Sequence, residues 1–295
     1  MKTKAAAVML ALLAMSIGAG ADDRQKTAAD LVAAARAALG GEAALEAVAS
    51  FTVTGTLVRN IGSSPTSFLE TTCVLPDKFL RVARRNTGGP IDYEITSYDG
   101  LNGDRVIRDT VAPNAPFPVT IPGRPPATQE EAAARAAKAL AGARRDFAGL
   151  VLPLFVKLPG VELSAGEPVS VKSGAMDVLV VKHADGTEWQ LRLDAKTHLP
   201  AEFRWMAMPV VTFSTSATTT SLSAPPPVPK MPDDPTAGLS DVQWVMTIGD
   251  YKVTDGVNWP RRLTTMYDGK RWEDIRVSKY RLNPKIDLKI FDRTR

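Results

Sequence analysis

The alternation within Thr187 to Met208 constrains the chain most. Trp189, Leu191 and Leu193 alternate with Gln190, Arg192 and Asp194, the period-2 signature of a strand with one apolar face. Asp194 to His198 is short and polar, and Leu199-Pro200 leads into a run with Phe203 and Trp205 on one face. Two such runs about a short turn predict a β-hairpin. Hairpin spacing recurs on both sides. Phe51, Val53 and Leu57 alternate with threonines, and Thr66–Leu75, Lys78–Arg85, Ile91–Tyr98 and Asp104–Asp109 follow. Later come Glu167–Lys172, Asp177–His183, Met208–Leu222, Asp241–Val253, Trp259–Tyr267 and Arg271–Tyr280. Parallel pairing needs long crossovers that these short connections do not provide, so the strands pair antiparallel. The lack of βαβ alternation argues against Rossmann-like and TIM-barrel folds. The expected fold class is α+β: a mostly antiparallel curved β-sheet of about ten or eleven strands, covered by helices on its concave side.

Helical patterns are few. Asp22 to Leu39 reads as a helix capped by Asp22 or Asp23 and stopped by Gly40-Gly41, with a short helix at Glu42–Val48. Thr128 to Phe147 is capped by Thr128, with Glu130 and Glu131 at its N-terminus and Arg144 and Arg145 at its C-terminus. Leu150 to Pro159 is apolar but broken by proline, so residues 128–158 read as a helical lid with an apolar tongue. Val111–Pro126 and Ala224–Gly238 are proline-rich loops, and Asn283–Phe291 reads as an extended tail with apolar anchors.

Lys2 and Lys4, the uncharged apolar run Ala5–Ile17 and Ala19-Gly20-Ala21 have the three-part form of a secretory signal peptide over residues 1–21. Residues 22–295 then form a single domain, exported and periplasmic, and no later segment is apolar enough to span a membrane. A single cysteine, Cys73, cannot form an internal disulfide, so stability must come from a packed core. The formal charge of +4 includes Lys2 and Lys4, and both signs are interspersed. With no aromatic–basic motif either, no nucleic-acid partner is expected.

Catalytic signatures are missing from the sequence. The two histidines, His183 and His198, fall at hairpin turns and read as exposed loop residues. Asp99, Asp104, Asp185, Asp255 and Asp268 fall in turn-like segments, where aspartate is expected for backbone reasons. No nucleophile elbow, zinc motif or phosphate loop occurs, so no enzyme activity, metal or cofactor is expected. Arg84-Arg85, Arg144-Arg145 and Arg261-Arg262 read as solvated faces with salt bridges, an inward arginine that meets an anionic headgroup or holds the lid being the sharper alternative. Apolar surface remains. A curved sheet under helices can enclose a cavity, and Leu57, Leu154, Phe155, Trp189, Leu191, Phe203, Trp205, Trp244 and Met246 are the candidate ligand-binding residues. Periodicity shows burial without distinguishing a void from a filled core.

The Ala-rich helix running into LGGEAALEAVASFTVTGTL, then VLPDKFLRV, LRLDAKTHLPAEFRW and WPRRLTTMYDGKRWEDIRVSKYRLNPKIDLKIF resembles the LolA/LolB-like superfamily of periplasmic lipoprotein carriers. That resemblance covers most of residues 22–295 and implies an incomplete antiparallel barrel over helices, with a hydrophobic cavity for acyl chains. It also implies a monomeric, non-enzymatic carrier of a lipid or of lipoprotein acyl chains. The alternative is an envelope sensing or interaction module that binds a protein partner through its proline-rich loops. The segments around Val111–Pro126 and Ala224–Gly238 depart from the family pattern.

Overall fold

The computed structural model describes residues 26–59, 66–86, 94–112, 128–155, 158–172, 174–210 and 239–292. Residues 1–21, most of the 111–126 loop and the 224–238 loop lie outside the described residues, as does most of the Met208–Leu222 run. The chain begins with α1 (Ala28–Ala38) and α2 (Glu42–Glu46) and continues through β1 (Ser50–Arg59), β2 (Ser67–Val74), β3 (Lys78–Asn86), β4 (Glu94–Asn102) and β5 (Arg105–Val111). The long helix α3 (Gln129–Val151) follows, then β6 (Val161–Val171), β7 (Gly174–His183), β8 (Glu188–Asp194) and β9 (Pro200–Ala207). The last strands are β10 (Val242–Gly249), β11 (Lys252–Thr254), β12 (Val257–Trp259), β13 (Arg262–Tyr267) and β14 (Lys270–Leu282).

Twelve strands form one antiparallel sheet in the order β5-β4-β3-β2-β1-β14-β13-β10-β9-β8-β7-β6, while β11 and β12 pair apart as a ribbon. The sheet is curved and not closed into a true barrel, with the helices packed on one face. Alternation sets that face. Leu57 opposes Ile275, Phe203 opposes Met246 and Leu191 opposes Phe203, and all are buried in one core. Leu31 and Ala35 of α1, Leu39 just after it, and Phe147, Ala148 and Val151 of α3 complete it.

Local chemistry moves several boundaries from their sequence expectation. The first helix is capped by Thr27, not by Asp22 or Asp23, through a reciprocal box in which Asp30 N–H donates to Thr27 Oγ1 and Thr27 N–H donates to Asp30. Asp241–Val253 is not one strand, because Asp250 takes a positive φ of 55° and breaks it. Strand β4 runs through Asp99-Gly100-Leu101, which reads as a turn in the sequence. Gly100 lies inside the sheet, where an added Cβ would fall 2.2 Å from the Phe79 carbonyl oxygen. The turn itself is Gly103-Asp104, with Gly103 at φ 58°. The tail is not extended, since residues 288–291 form a 3₁₀ turn that seats Phe291 on the outer face against Leu80, Val82 and Ile107.

The apolar tongue is the end of α3 followed by a 3₁₀ turn at Leu152–Leu154. Leu152, Leu154 and Phe155 are buried within the main core. Phe155 has a left-handed φ of 52°, and its carbonyl accepts a hydrogen bond from Arg36 Nη1 at 2.8 Å.

Candidate functional site

Between α3 and the inner face of the sheet lies a cavity of about 290 Å³, near the lower end of the range for small-molecule sites, roughly 300–1,000 Å³. One wall is apolar. Strand β9 supplies Phe203 and Trp205, β10 supplies Trp244 and Met246, and β13 and β14 supply Leu263 and Ile275. The aromatic rings form a continuous run: Phe203 to Trp205 at 5.5 Å between centroids, Trp205 stacked on Trp244 at 5.9 Å, and Trp244 against Tyr267 at 4.4 Å. From above, Gly149 and Leu150 of α3 close the space. A Cβ at Gly149 would meet Met246 Cε at 3.3 Å and Phe203 Cδ1 at 3.4 Å, so glycine lets the helix sit close to the aromatic wall.

The opposite wall is ionic. Arg59 on β1, Arg81 on β3, Asp99 on β4 and Glu273 on β14 line the same cavity as Arg145 and Asp146 on α3. Arg59 Nε donates to Glu273 at 3.0 Å, Arg108 Nε donates to Asp99 at 3.2 Å, and Arg145 Nη2 donates to Asp146 at 2.7 Å. Arg81 Nη1 makes a longer contact of 3.5 Å to Glu273. Burial opposes the Arg81 charge, but Glu273, Asp146 and Asp99 outweigh it and hold the guanidinium above its ordinary pKa. Asp99 is raised from the usual carboxylate range, first by burial and then by Asp146. The Arg145 guanidinium also lies over the Trp205 ring, 5.4 Å from its centroid, so the two walls meet there.

The nine sequence candidates therefore separate. Phe203, Trp205, Trp244 and Met246 line the cavity. Leu57, Trp189, Leu191 and Phe155 belong to the packed core around it, with Trp189 against Phe203 at 5.9 Å. Leu154 borders a crevice of only about 20 Å³, roughly the room one water needs. The ionic wall is absent from the sequence candidates. Arg81 is two residues from Phe79 and shares its face, but Leu80 and Val82 on the other face are apolar too, so alternation does not mark which face is the inner one.

Cys73 is fully buried, and burial raises its thiol pKa, so it stays protonated and out of reach. Tyr251 and Tyr280, both raised chiefly by burial, donate to the carbonyls of Pro200 and Pro260, each at 2.6 Å. Among the described residues no cluster of three or more metal-ligating side chains occurs, and no helix is long and apolar enough to cross a membrane. His183 and His198 are partly buried rather than exposed: His183 packs on Trp189 at 6.1 Å, and His198 takes the positive φ of its turn. The arginine pairs largely do make salt bridges, Arg84 to Glu70, Arg144 to Asp104 and Asp185, and Arg262 to Asp274.

An open antiparallel sheet roofed by one long helix over an amphipathic cavity is the class of structure present. No protein-family model and no curated protein matches the chain. Among solved structures it is similar in fold to a LolA superfamily protein from Nitrosomonas europaea, at 10% identity and TM-score 0.42 over 87% of this chain and 96% of that one. It is also similar to a DUF1329 family protein from Desulfovibrio piger, at 10% identity and TM-score 0.43 over 90% of this chain and 95% of that one. Likeness at this level carries no conclusion about the cavity or its occupant.

Proposed function

We propose that the protein is a non-enzymatic periplasmic binding protein or carrier that holds a hydrophobic ligand, a lipid or an acyl chain, between the sheet and α3. The observation that carries this reading is the cavity of about 290 Å³ with its aromatic wall of Phe203, Trp205 and Trp244. Each methylene moved from water to that wall contributes about 0.8 kcal/mol, so a short length of acyl chain supports useful affinity. The signal-like segment at residues 1–21 supports export to the periplasm.

Native mass spectrometry of the protein purified without detergent, with organic extraction of bound material, tests the reading. A co-purifying amphiphile near unit occupancy, lost in Trp205→Glu, is the expected result. A bare protein mass that added lipid cannot shift would refute it.

A further inference from the structure

The ionic wall is balanced, and the balance restricts the ligand. Arg59, Arg81 and Arg145 line the main cavity together with Asp99, Asp146 and Glu273. All six are engaged: Arg59 and Arg81 with Glu273, Arg145 with Asp146, and Asp99 with Arg108, which lies beyond the main cavity. A head with one net charge would have to draw a partner out of an existing pair, and the group left behind would be uncompensated. The wall still has hydrogen-bonding capacity, because guanidinium groups only donate and carboxylates only accept.

A second, polar cleft of about 270 Å³ adjoins the cavity and shares Arg59, Arg81 and Asp99 with it. Arg108, Ser97 and Thr110 continue its lining. Here the charged groups are within reach of a ligand. The side chain of Arg81 is only 12% exposed, but those of Arg59, Arg108 and Asp99 are 40%, 52% and 35% exposed. Arg59 and Arg108 donate to their carboxylates through Nε. A hydroxyl is both donor and acceptor, so it can accept from such a guanidinium and donate to the carboxylate beside it. It thereby joins an ion pair without breaking it.

Resting on the binding reading above, we propose that the ligand is an uncharged, single-tailed amphiphile with a polyol head, a sugar or a glycerol. The head lies in the polar cleft against Arg59, Asp99 and Arg108, and the tail runs along Trp205, Trp244 and Met246. A phosphocholine head is also neutral in sum, but it has no hydrogen to donate and leaves the carboxylates unmatched.

The test compares amphiphiles of one tail length on the unmodified protein by titration calorimetry, below their micelle concentrations. Decyl glucoside and monodecanoylglycerol carry the polyol as sugar and as glycerol, and decylphosphocholine, decanoate and decyltrimethylammonium are the rivals. At least one polyol should bind on the order of tenfold or more tightly than all three rivals, the ratio expected for a hydrogen bond to a charged group. Arg108→Gln, at a half-exposed pair, should narrow that margin; an unchanged margin would overturn the placement of the head in the cleft. Decanoate or the ammonium binding as tightly as the polyols would overturn the uncharged head, and decylphosphocholine doing so would overturn the hydroxyl requirement. Either result leaves the hydrophobic-ligand reading intact. No binding of any would overturn that reading itself.

Discussion

Replacing Arg81 by methionine measures how far the ionic wall of the cavity depends on this one side chain. Removing one partner of a buried ion pair ordinarily costs about 3–5 kcal/mol, because the other charge is left uncompensated. Here Glu273 keeps Arg59 at 3.0 Å when Arg81 is removed, and Asp99 and Asp146 keep Arg108 and Arg145. The loss is then the 3.5 Å contact to Glu273 and weaker attraction from the other two carboxylates. Against it stand the relief of burying a guanidinium and the removal of an unpartnered Nε. Because the carboxylates do raise the Arg81 pKa, the change is not free. The expected loss is about 1–2 kcal/mol, below that of a sole ion-pair partner. Urea denaturation of the ligand-free wild type and variant, with equal m-values, measures it. A loss of about 3 kcal/mol or more would show that Arg81 holds the sheet to α3, and the reasoning that the three carboxylates keep sufficient partners without it would fail.

Gly149→Leu should block ligand uptake, since the added Cβ would lie 3.3 Å from Met246 Cε and the rest of the side chain must enter the cavity; a destabilisation of about 1–3 kcal/mol accompanies such overpacking, and undiminished binding of a co-purifying amphiphile would contradict the site. Tyr280→Phe deletes the 2.6 Å bond to the Pro260 carbonyl and leaves that acceptor buried, so a loss of about 1–3 kcal/mol in chemical denaturation is expected. Asp274 keeps its carboxyl below the ordinary range despite burial, because Arg262 and Thr264 donate to it. For an acid with a depressed folded pKa, this stability is full above the unfolded value of about 4 and is lost as pH falls through the folded pKa. Asp274→Asn should therefore destabilise at pH 7 and converge with wild type in strong acid; a constant difference between the two across that range would disprove the linkage.

The apolar half of the cavity was legible because β8, β9 and β10 follow a period of two, which put Phe203, Trp205, Trp244 and Met246 on one face. The ionic half was hidden by two local features. Strand β3 is apolar on both faces, since Phe79 faces the main core while Leu80 and Val82 meet Phe291 on the other side. Alternation therefore gives no inside and no outside there, and Arg81 carries no mark of direction. Asp99 stands in Asp99-Gly100-Leu101-Asn102-Gly103, a composition that favours turns. Only the approach of the Phe79 carbonyl to Gly100 explains that glycine inside a strand, and sequence spacing cannot show a cross-strand contact.

The position of the roof follows from the strand order. The chain leaves the sheet at β5, one edge, and re-enters at β6, the opposite edge. Any connection between them must cross the sheet, and the buried inner face is where an amphipathic helix gains most. Helix α3 has 23 residues, about 35 Å at 1.5 Å per residue, a length comparable to a small domain's diameter. Its Arg144 pairs with Asp104 in the β4–β5 turn and Asp185 in the β7–β8 turn, which ties the helix to hairpins from both halves of the sheet. The charged residues Arg145 and Asp146 follow at once, and Phe147, Ala148 and Gly149 then turn to the core. One turn of helix thus passes from a polar contact at both hairpin tips to the apolar wall. The cavity is the space left where a single helix cannot fill both environments, and its mixed lining is a consequence of the crossing.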